Sequence, residues 1–156
     1  MSGQVVFGWE SPTWGGGIAF HDPDAEGRVL GRAYLITVRQ FADVLEQEMK
    51  REPGADHDLT EVLRRFRHEL GQGRYETLHL VGELDDHPVV TFSASDVTEL
   101  GINAPTAPYL LTIANGLRQA HDLADEDIVD YLLGCPGVDL GWARATLGEL
   151  LGGRAA

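Results

Sequence analysis

Residues 29–49 constrain the fold more than any other part of the chain, because an apolar run is joined there to a segment with helical spacing. The run at 29–36 is typical of a β-strand. Thr37, with Gln40 three positions later, matches the capping box that begins a helix. We therefore predict a strand that leads directly into a helix over residues 38–51. A loop rich in turn formers at 21–27 predicts a hairpin between this strand and another at 18–20.

The predicted helix has one apolar stripe, and an acidic side chain falls within it. Glu48 lies seven residues after Phe41 and three after Leu45, so at about 100° per residue it faces the core, whereas Glu46 lies near the edge of the stripe. A carboxylate that is desolvated in this way can serve as a general base. The structural alternative is a glutamate that reaches solvent or accepts a buried hydrogen bond. The residues of the stripe are Val38, Phe41, Ala42, Leu45 and Met49.

Length and charge limit the classes of protein that the chain can belong to. Its 156 residues predict a single domain over 1–156, and its net charge of −13 argues against long-range attraction to nucleic acid or to an anionic membrane. One cysteine, Cys135, cannot form an internal disulfide. The chain begins without a basic, apolar leader, and no run approaches the roughly 18 apolar residues that span a bilayer. We therefore expect a cytoplasmic protein that binds neither nucleic acid nor membrane.

The order of the other predicted elements indicates an α+β fold. Short strands are predicted at 5–7, 75–81 and 89–92, a charged helix at 59–70, and helices in the last third of the chain at 109–117, 128–132 and 142–151. Strands 75–81 and 89–92 flank a turn and are expected to pair antiparallel. We predict a mainly antiparallel sheet or small β-barrel with flanking helices and a helical C-terminal part.

Other motifs allow both a structural and a functional interpretation. Gly15, Gly16 and Gly17 lead into a strand and lack the features of a phosphate loop, so they permit close approach to a ligand or tight packing beside Trp14. Tyr75 and Tyr109 each follow a turn, where a packed ring with a solvated hydroxyl is the structural alternative. The histidines are scattered and Cys135 has no thiol partner, so no metal site is predicted. No Gly-x-Ser-x-Gly elbow of a serine hydrolase is present.

Together these motifs resemble the γ-glutamylcyclotransferase-like superfamily, in particular an actinobacterial branch. Residues 14–19 resemble its Trp-x-Gly-Gly-x-Ala strand, and residues 29–34 resemble Val-x-Gly-x-x-Tyr/Trp. Residues 45–49 resemble the end of the family's catalytic helix, Leu-Asp-x-x-Glu-Gly, with Leu45 in place of the aspartate and Met49 in place of the glycine. Tyr75 resembles the tyrosine that opens the next strand, and residues 104–109 resemble the family's Pro-Ser-Pro-x-Tyr stretch.

The resemblance implies a γ-glutamylcyclotransferase-like fold and a reaction without a cofactor. The substrate would be a γ-glutamyl amine or peptide, which cyclises to 5-oxoproline and releases the amine. Glu48 would be the catalytic general acid/base. The substrate-binding residues would be Trp14, Gly15, Gly16, Gly17, Tyr75 and Tyr109.

The family's opening Tyr-Gly-Ser-Asn segment has no counterpart here, so the resemblance implies a domain that is N-terminally short. A missing strand would leave an exposed edge in the β-barrel, and a second copy of the chain could cover that edge. The expected partner is therefore a second copy, in a homodimer. Two other functions stay open. One is a tailoring enzyme of specialised metabolism that removes an acyl group, and the other is a catalytically silent binding or structural module.

Overall fold

The computed structural model describes residues 1–153 and shows a mixed α+β fold with five α-helices and two antiparallel sheets. The predicted α+β class is therefore confirmed. The chain divides into two compact units: a first unit, Met1–Ser2 with Arg32–Asp96, and a second unit, Gly3–Gly31 with Val97–Ala156. The strands are β1 (Gln4–Gly8), β2 (Ile18–Asp22), β3 (Arg67–Glu69), β4 (Thr77–Leu84) and β5 (His87–Ser93). The helices are α1 (Val38–Glu48), α2 (Thr60–Arg65), α3 (Ala107–His121), α4 (Asp125–Leu133) and α5 (Arg144–Gly152).

Helix α1 of the first unit begins where the sequence predicts. The Thr37 hydroxyl accepts a hydrogen bond from the Gln40 amide at 3.2 Å, and the Gln40 side-chain oxygen accepts one from the Thr37 amide at 2.9 Å. Both halves of the capping box are present, so two amide groups without intrahelical partners are satisfied. The last residue of α1 is Glu48, three residues before the predicted end at residue 51.

The three-stranded sheet of the first unit has the order β3-β4-β5 and packs one face on α1 and α2. Asp85 and Asp86 form the turn between β4 and β5 with φ values of 51° and 61°, which are typical of a type I′ hairpin turn. Leu78 is fully buried beside Leu45 and Val62. Since alternate residues of a strand share a face, this apolar core lies on one side of the sheet. The predicted antiparallel pairing of these two strands is confirmed.

The helix predicted over 59–70 is shorter than expected. Asp58 accepts hydrogen bonds from the amide and the hydroxyl of Thr60, at 2.8 and 2.6 Å, and these bonds lower the pKa of the Asp58 carboxyl. Helix α2 then ends at Arg65, because Phe66 adopts a left-handed backbone with φ 66°. The next three residues pair with β4 as strand β3. In residues 67–69, pairing with β4 therefore outweighs the helix propensity of the sequence.

The prediction of a strand at 29–36 is wrong. This run lies outside every helix and strand, and β2 pairs with β1 instead, in a register that places Val6 opposite Phe20. Apolar side chains of the run face solvent, with Tyr34 66% exposed, Leu35 81% and Ile36 43%. Apolar composition indicated a strand here, but a strand also requires a neighbour for its backbone, and within residues 1–153 no hydrogen bond reaches the backbone of residues 32–36.

The second unit packs strands β1 and β2 with the last three helices around a core that includes Phe7, Leu110, Ile128, Leu132 and Leu147, each fully buried. The Phe7 amide donates to the Pro136 carbonyl at 2.8 Å, which ties β1 to the segment after α4. Gly137 adopts φ 99° there, and a side chain at this position would approach the Phe7 carbonyl oxygen to 2.6 Å. Helices predicted at 109–117, 128–132 and 142–151 are confirmed. None of the helices within residues 1–153 is long and apolar enough to cross a lipid bilayer.

Candidate functional site

The structure exposes Glu48 and buries Glu46, so the prediction that Glu48 faces the core is wrong. Glu46 is 5% exposed, whereas Glu48 belongs to the exposed residues. The buried face of α1 is formed by Ala42, Leu45 and Glu46, which are spaced at i, i+3 and i+4. The sequence pattern placed Glu48 on the same face as Phe41, but Phe41 is only partly buried. The true stripe is therefore rotated toward Glu46.

Glu46 is paired with His57 inside the first unit. The distance from His57 Nε2 to Glu46 Oε1 is 2.6 Å, and the side chains are 14% and 6% exposed. A buried carboxylate needs such a partner, because removing a charge from water costs several kcal/mol unless hydrogen bonds compensate. The sequence pattern did not indicate this pair, because the scattered histidines were interpreted only as candidate metal ligands. The available signal was that Glu46 shares helical spacing with Ala42 and Leu45.

The loop that carries His57 is anchored at its beginning by Arg51. The Arg51 amide donates to the Glu46 carbonyl at 2.8 Å, and the Arg51 guanidinium pairs with the Glu76 carboxylate. The other Glu76 oxygen accepts from the Gly73 amide at 2.8 Å. A side chain on Gly73 would approach the Glu76 carboxyl carbon to 2.7 Å, so it would shift the Glu76 carboxylate from this position. These contacts link the end of α1, the loop and the start of β4.

Tyr75, the other predicted site residue in the first unit, lies just before β4. Its ring packs edge-on against Phe92, with 6.0 Å between ring centroids and an interplanar angle of 80°. Phe92 also packs against the apolar core between α1 and the sheet. The ring of Tyr75 is therefore an extension of that core, as in the structural alternative.

The predicted site residues of the second unit form one cluster. The rings of Trp14 and Tyr109 lie 5.0 Å apart, and the Tyr109 hydroxyl accepts a hydrogen bond from the Ala19 amide at 3.1 Å. The Gly17 amide donates to the Ala104 carbonyl at 2.8 Å. A side chain on Gly17 would approach the Asn103 carbonyl oxygen to 2.1 Å. Close packing against the backbone of Asn103 therefore explains why residue 17 is glycine. The Gly17 amide already donates to a carbonyl, so it is not free to bind a ligand.

The predicted site residues thus belong to different units. Glu48 and Tyr75 lie in the first unit, while Trp14, the three glycines and Tyr109 lie in the second. Within residues 1–153, no group of three or more His, Cys, Asp or Glu side chains is arranged to hold a metal ion. In the first unit, the carboxylate and imidazole groups could transfer protons. In the second unit, the cluster presents aromatic rings, and the Gly17 amide is already hydrogen-bonded.

Cys135 lies in the second unit on the wall of an open, mostly apolar depression. The side chain is 4% exposed, its thiol donates weakly to the Tyr131 carbonyl at 3.3 Å, and burial raises the thiol pKa to about 12. A nucleophilic cysteine needs the opposite shift, because the thiolate is the reactive form. Cys135 is therefore a packing residue.

We expect the Cys135 thiol of the native protein to react very slowly with Ellman's reagent at about pH 8, because a pKa of about 12 leaves roughly one thiolate in ten thousand there. The reaction should become fast in denaturant. Since burial raises the folded pKa of this thiol above its ordinary value of 9.0, the unfolded chain ionises first, and stability should fall as pH rises from about 9 to 12. Fast labelling of the native protein would contradict this assignment.

The family resemblance finds no independent support from known proteins. Protein-family models, curated proteins and solved structures were each compared with the chain, and none matches it.

Proposed function

We propose that the chain is a cofactor-independent cyclotransferase that acts on a γ-glutamyl amine or peptide and releases 5-oxoproline. The proposal includes the γ-glutamylcyclotransferase-like fold with its small β-barrel. It rests on the sequence resemblance and on one observation at the end of α1. The Glu48 carboxylate is exposed, and it has no hydrogen bond or ion pair within residues 1–153. A substrate can therefore reach this carboxylate, and the desolvation that favours a general base would come from the bound substrate, because the protein leaves Glu48 exposed.

The reaction moves one proton and consumes no water. The α-amino nitrogen of the substrate attacks the carbonyl carbon of its own side-chain amide, so a nitrogen–carbon bond closes the five-membered ring. Glu48 accepts a proton from the attacking nitrogen and gives it to the leaving nitrogen as the amide bond breaks. Because nucleophile and carbonyl belong to one molecule, binding in a bent conformation supplies much of the rate enhancement.

The buried pair gives Glu46 a different role in this proposal. Glu46 points away from solvent and is held by His57, so it fixes the last turn of α1 rather than meeting the substrate. The next turn of chain is held by the bond from the Arg51 amide to the Glu46 carbonyl. Glu48 lies between these two anchors. A base held on a fixed helix end keeps its geometry better than one on a free loop.

The direct experiment is to incubate the protein with a panel of γ-glutamyl dipeptides and measure 5-oxoproline by mass spectrometry. The panel should vary the leaving amine. The proposal predicts 5-oxoproline and the free amine in equal amounts from at least one substrate. Absence of product from every member, with protein shown to be folded by circular dichroism, would overturn it.

A catalytically silent module is the second candidate, and one observation favours it. The Gly17 amide and the Tyr109 hydroxyl, which the resemblance assigns to substrate binding, are both used in hydrogen bonds that hold the second unit together. Groups used in this way are less available to a ligand. If the panel gives no product, calorimetric titration with the same dipeptides separates a binding module from a purely structural one.

A further inference from the structure

The exposed run before α1 is unusual for a folded chain. Leu35 is 81% exposed and Tyr34 is 66% exposed, and both belong to a run of apolar residues with high strand propensity. Single exposed apolar residues are common on protein surfaces, but neighbouring ones often mark an interaction site. The exposed large apolar side chains of this run and of the first residue of α1 are Tyr34, Leu35, Ile36 and Val38.

The backbone of residues 32–36 is also available for binding. Within the part of the chain that the structure describes, no hydrogen bond reaches a backbone amide or carbonyl of these five residues. The next residue, Thr37, is fixed by the capping box of α1, so the run is held at one end by a helix. A run with free backbone groups and β-forming side chains can accept an added strand from another chain.

The charge around the run differs from that of the rest of the protein. From Gly27 to Ala42 the sequence contains three arginines and no acidic residue, although the whole chain has a net charge of −13. Within the first unit, Arg32 and Arg39 flank the apolar run and both are exposed. The Arg32 guanidinium lies 5.0 Å from the centre of the Tyr34 ring. These two cations favour a partner with carboxylates at short range, since charges are screened beyond about 8 Å at physiological salt.

We propose that residues 32–36 bind an extended peptide by strand addition, and that the partner has an apolar, β-forming centre with acidic residues at its ends. Main-chain hydrogen bonds and apolar contacts with Tyr34, Leu35 and Ile36 supply the affinity. Arg32 and Arg39 select acidic over basic ends. This binding involves neither Glu48 nor the predicted substrate-binding residues, so it is independent of the proposed catalytic function.

The test uses two fluorescein-labelled peptides with the same centre, Thr-Val-Thr-Val-Thr-Val, one with Glu and one with Lys at both ends. Fluorescence anisotropy with the full chain should show that the Glu peptide binds about tenfold more tightly than the Lys peptide at about 0.15 M NaCl, where screening limits the effect of the net charge of −13. The difference should shrink at about 0.5 M NaCl. Equal binding, tighter binding of the Lys peptide, or no binding of either would overturn the proposal.

Proline variants test whether the backbone forms the contact. Leu35→Pro and Ile36→Pro remove amide donors that point to opposite edges of an extended strand, so at least one should weaken binding about tenfold or more. Leu35→Thr keeps the amide and is the matched control, with a smaller loss. Because Leu35 is exposed, we expect all variants to keep their melting temperature within about 2 °C. Unchanged binding by both proline variants would contradict strand addition. So would a wild-type dimer in sedimentation that Leu35→Pro dissociates, because the run would then pair with a second copy.

Discussion

Replacement of His57 by Ala is expected to lower the free energy of unfolding by about 2–3 kcal/mol. The reason is that Glu46 is 5% exposed and its Oε1 atom lies 2.6 Å from His57 Nε2. Without the imidazole, a carboxylate in the last turn of α1 is left in the interior without this compensating hydrogen bond. Denaturant unfolding followed by circular dichroism measures the change.

The exposed His87, at the start of β5, provides the matched control, and we expect His87→Ala to change stability by no more than about 0.5 kcal/mol. A double variant, Glu46→Ala with His57→Ala, should be less destabilised than the sum of the two single changes. The reason is that no unpaired buried charge then remains. Additive effects, or a His57→Ala variant as stable as His87→Ala, would show that the pair does not stabilise the fold.

Replacement of Glu48 by Gln should lower kcat/KM for 5-oxoproline formation by a factor of about 100 or more, the usual contribution of a general base. Glutamine has the same size as glutamate but cannot accept the proton. Since Glu48 is exposed, the variant should unfold at the same denaturant concentration as the wild type. The measurement is the initial rate with the best dipeptide of the panel.

Two glutamates serve as controls for this experiment. Glu52 is exposed just beyond α1, and we expect Glu52→Gln to retain full activity. Glu46→Gln keeps a side chain that can accept the His57 hydrogen bond, so it should retain most of its activity if Glu46 only supports the helix end. Loss of activity in Glu46→Gln with normal activity in Glu48→Gln would assign the base to the buried pair.

Sequence patterns correctly predicted the elements that depend on interactions between residues close together in the sequence. Thr37 and Gln40 form the capping box of α1 as expected, because both partners lie within four residues of one another. The hairpin of β4 and β5 and the helices of the second unit also follow from turn residues and helical spacing. Each of these patterns depends on residues that are close in the sequence, so each can be recognised from one sequence alone.

Features that depend on distant partners were predicted poorly. The run at 29–36 has the composition of a strand, but composition does not show whether a neighbouring strand exists. The orientation of α1 was misjudged because Glu48 was aligned with Phe41, which is only partly buried, whereas the buried face is formed by Ala42, Leu45 and Glu46. The partner of the buried Glu46 is His57, which lies eleven residues further along the chain and outside α1. Buried polar groups are determined by such partners, which spacing alone cannot reveal.

The most direct test of the proposed chemistry is the reaction of a γ-glutamyl dipeptide in water enriched in oxygen-18, with the products analysed by mass spectrometry. Intramolecular cyclisation predicts 5-oxoproline without label, because the substrate's own amine attacks the carbonyl and no water enters. Glutamate that carries one oxygen-18 atom would show that water attacks the carbonyl instead. That result would contradict a cyclotransferase and favour an enzyme that removes acyl groups by hydrolysis.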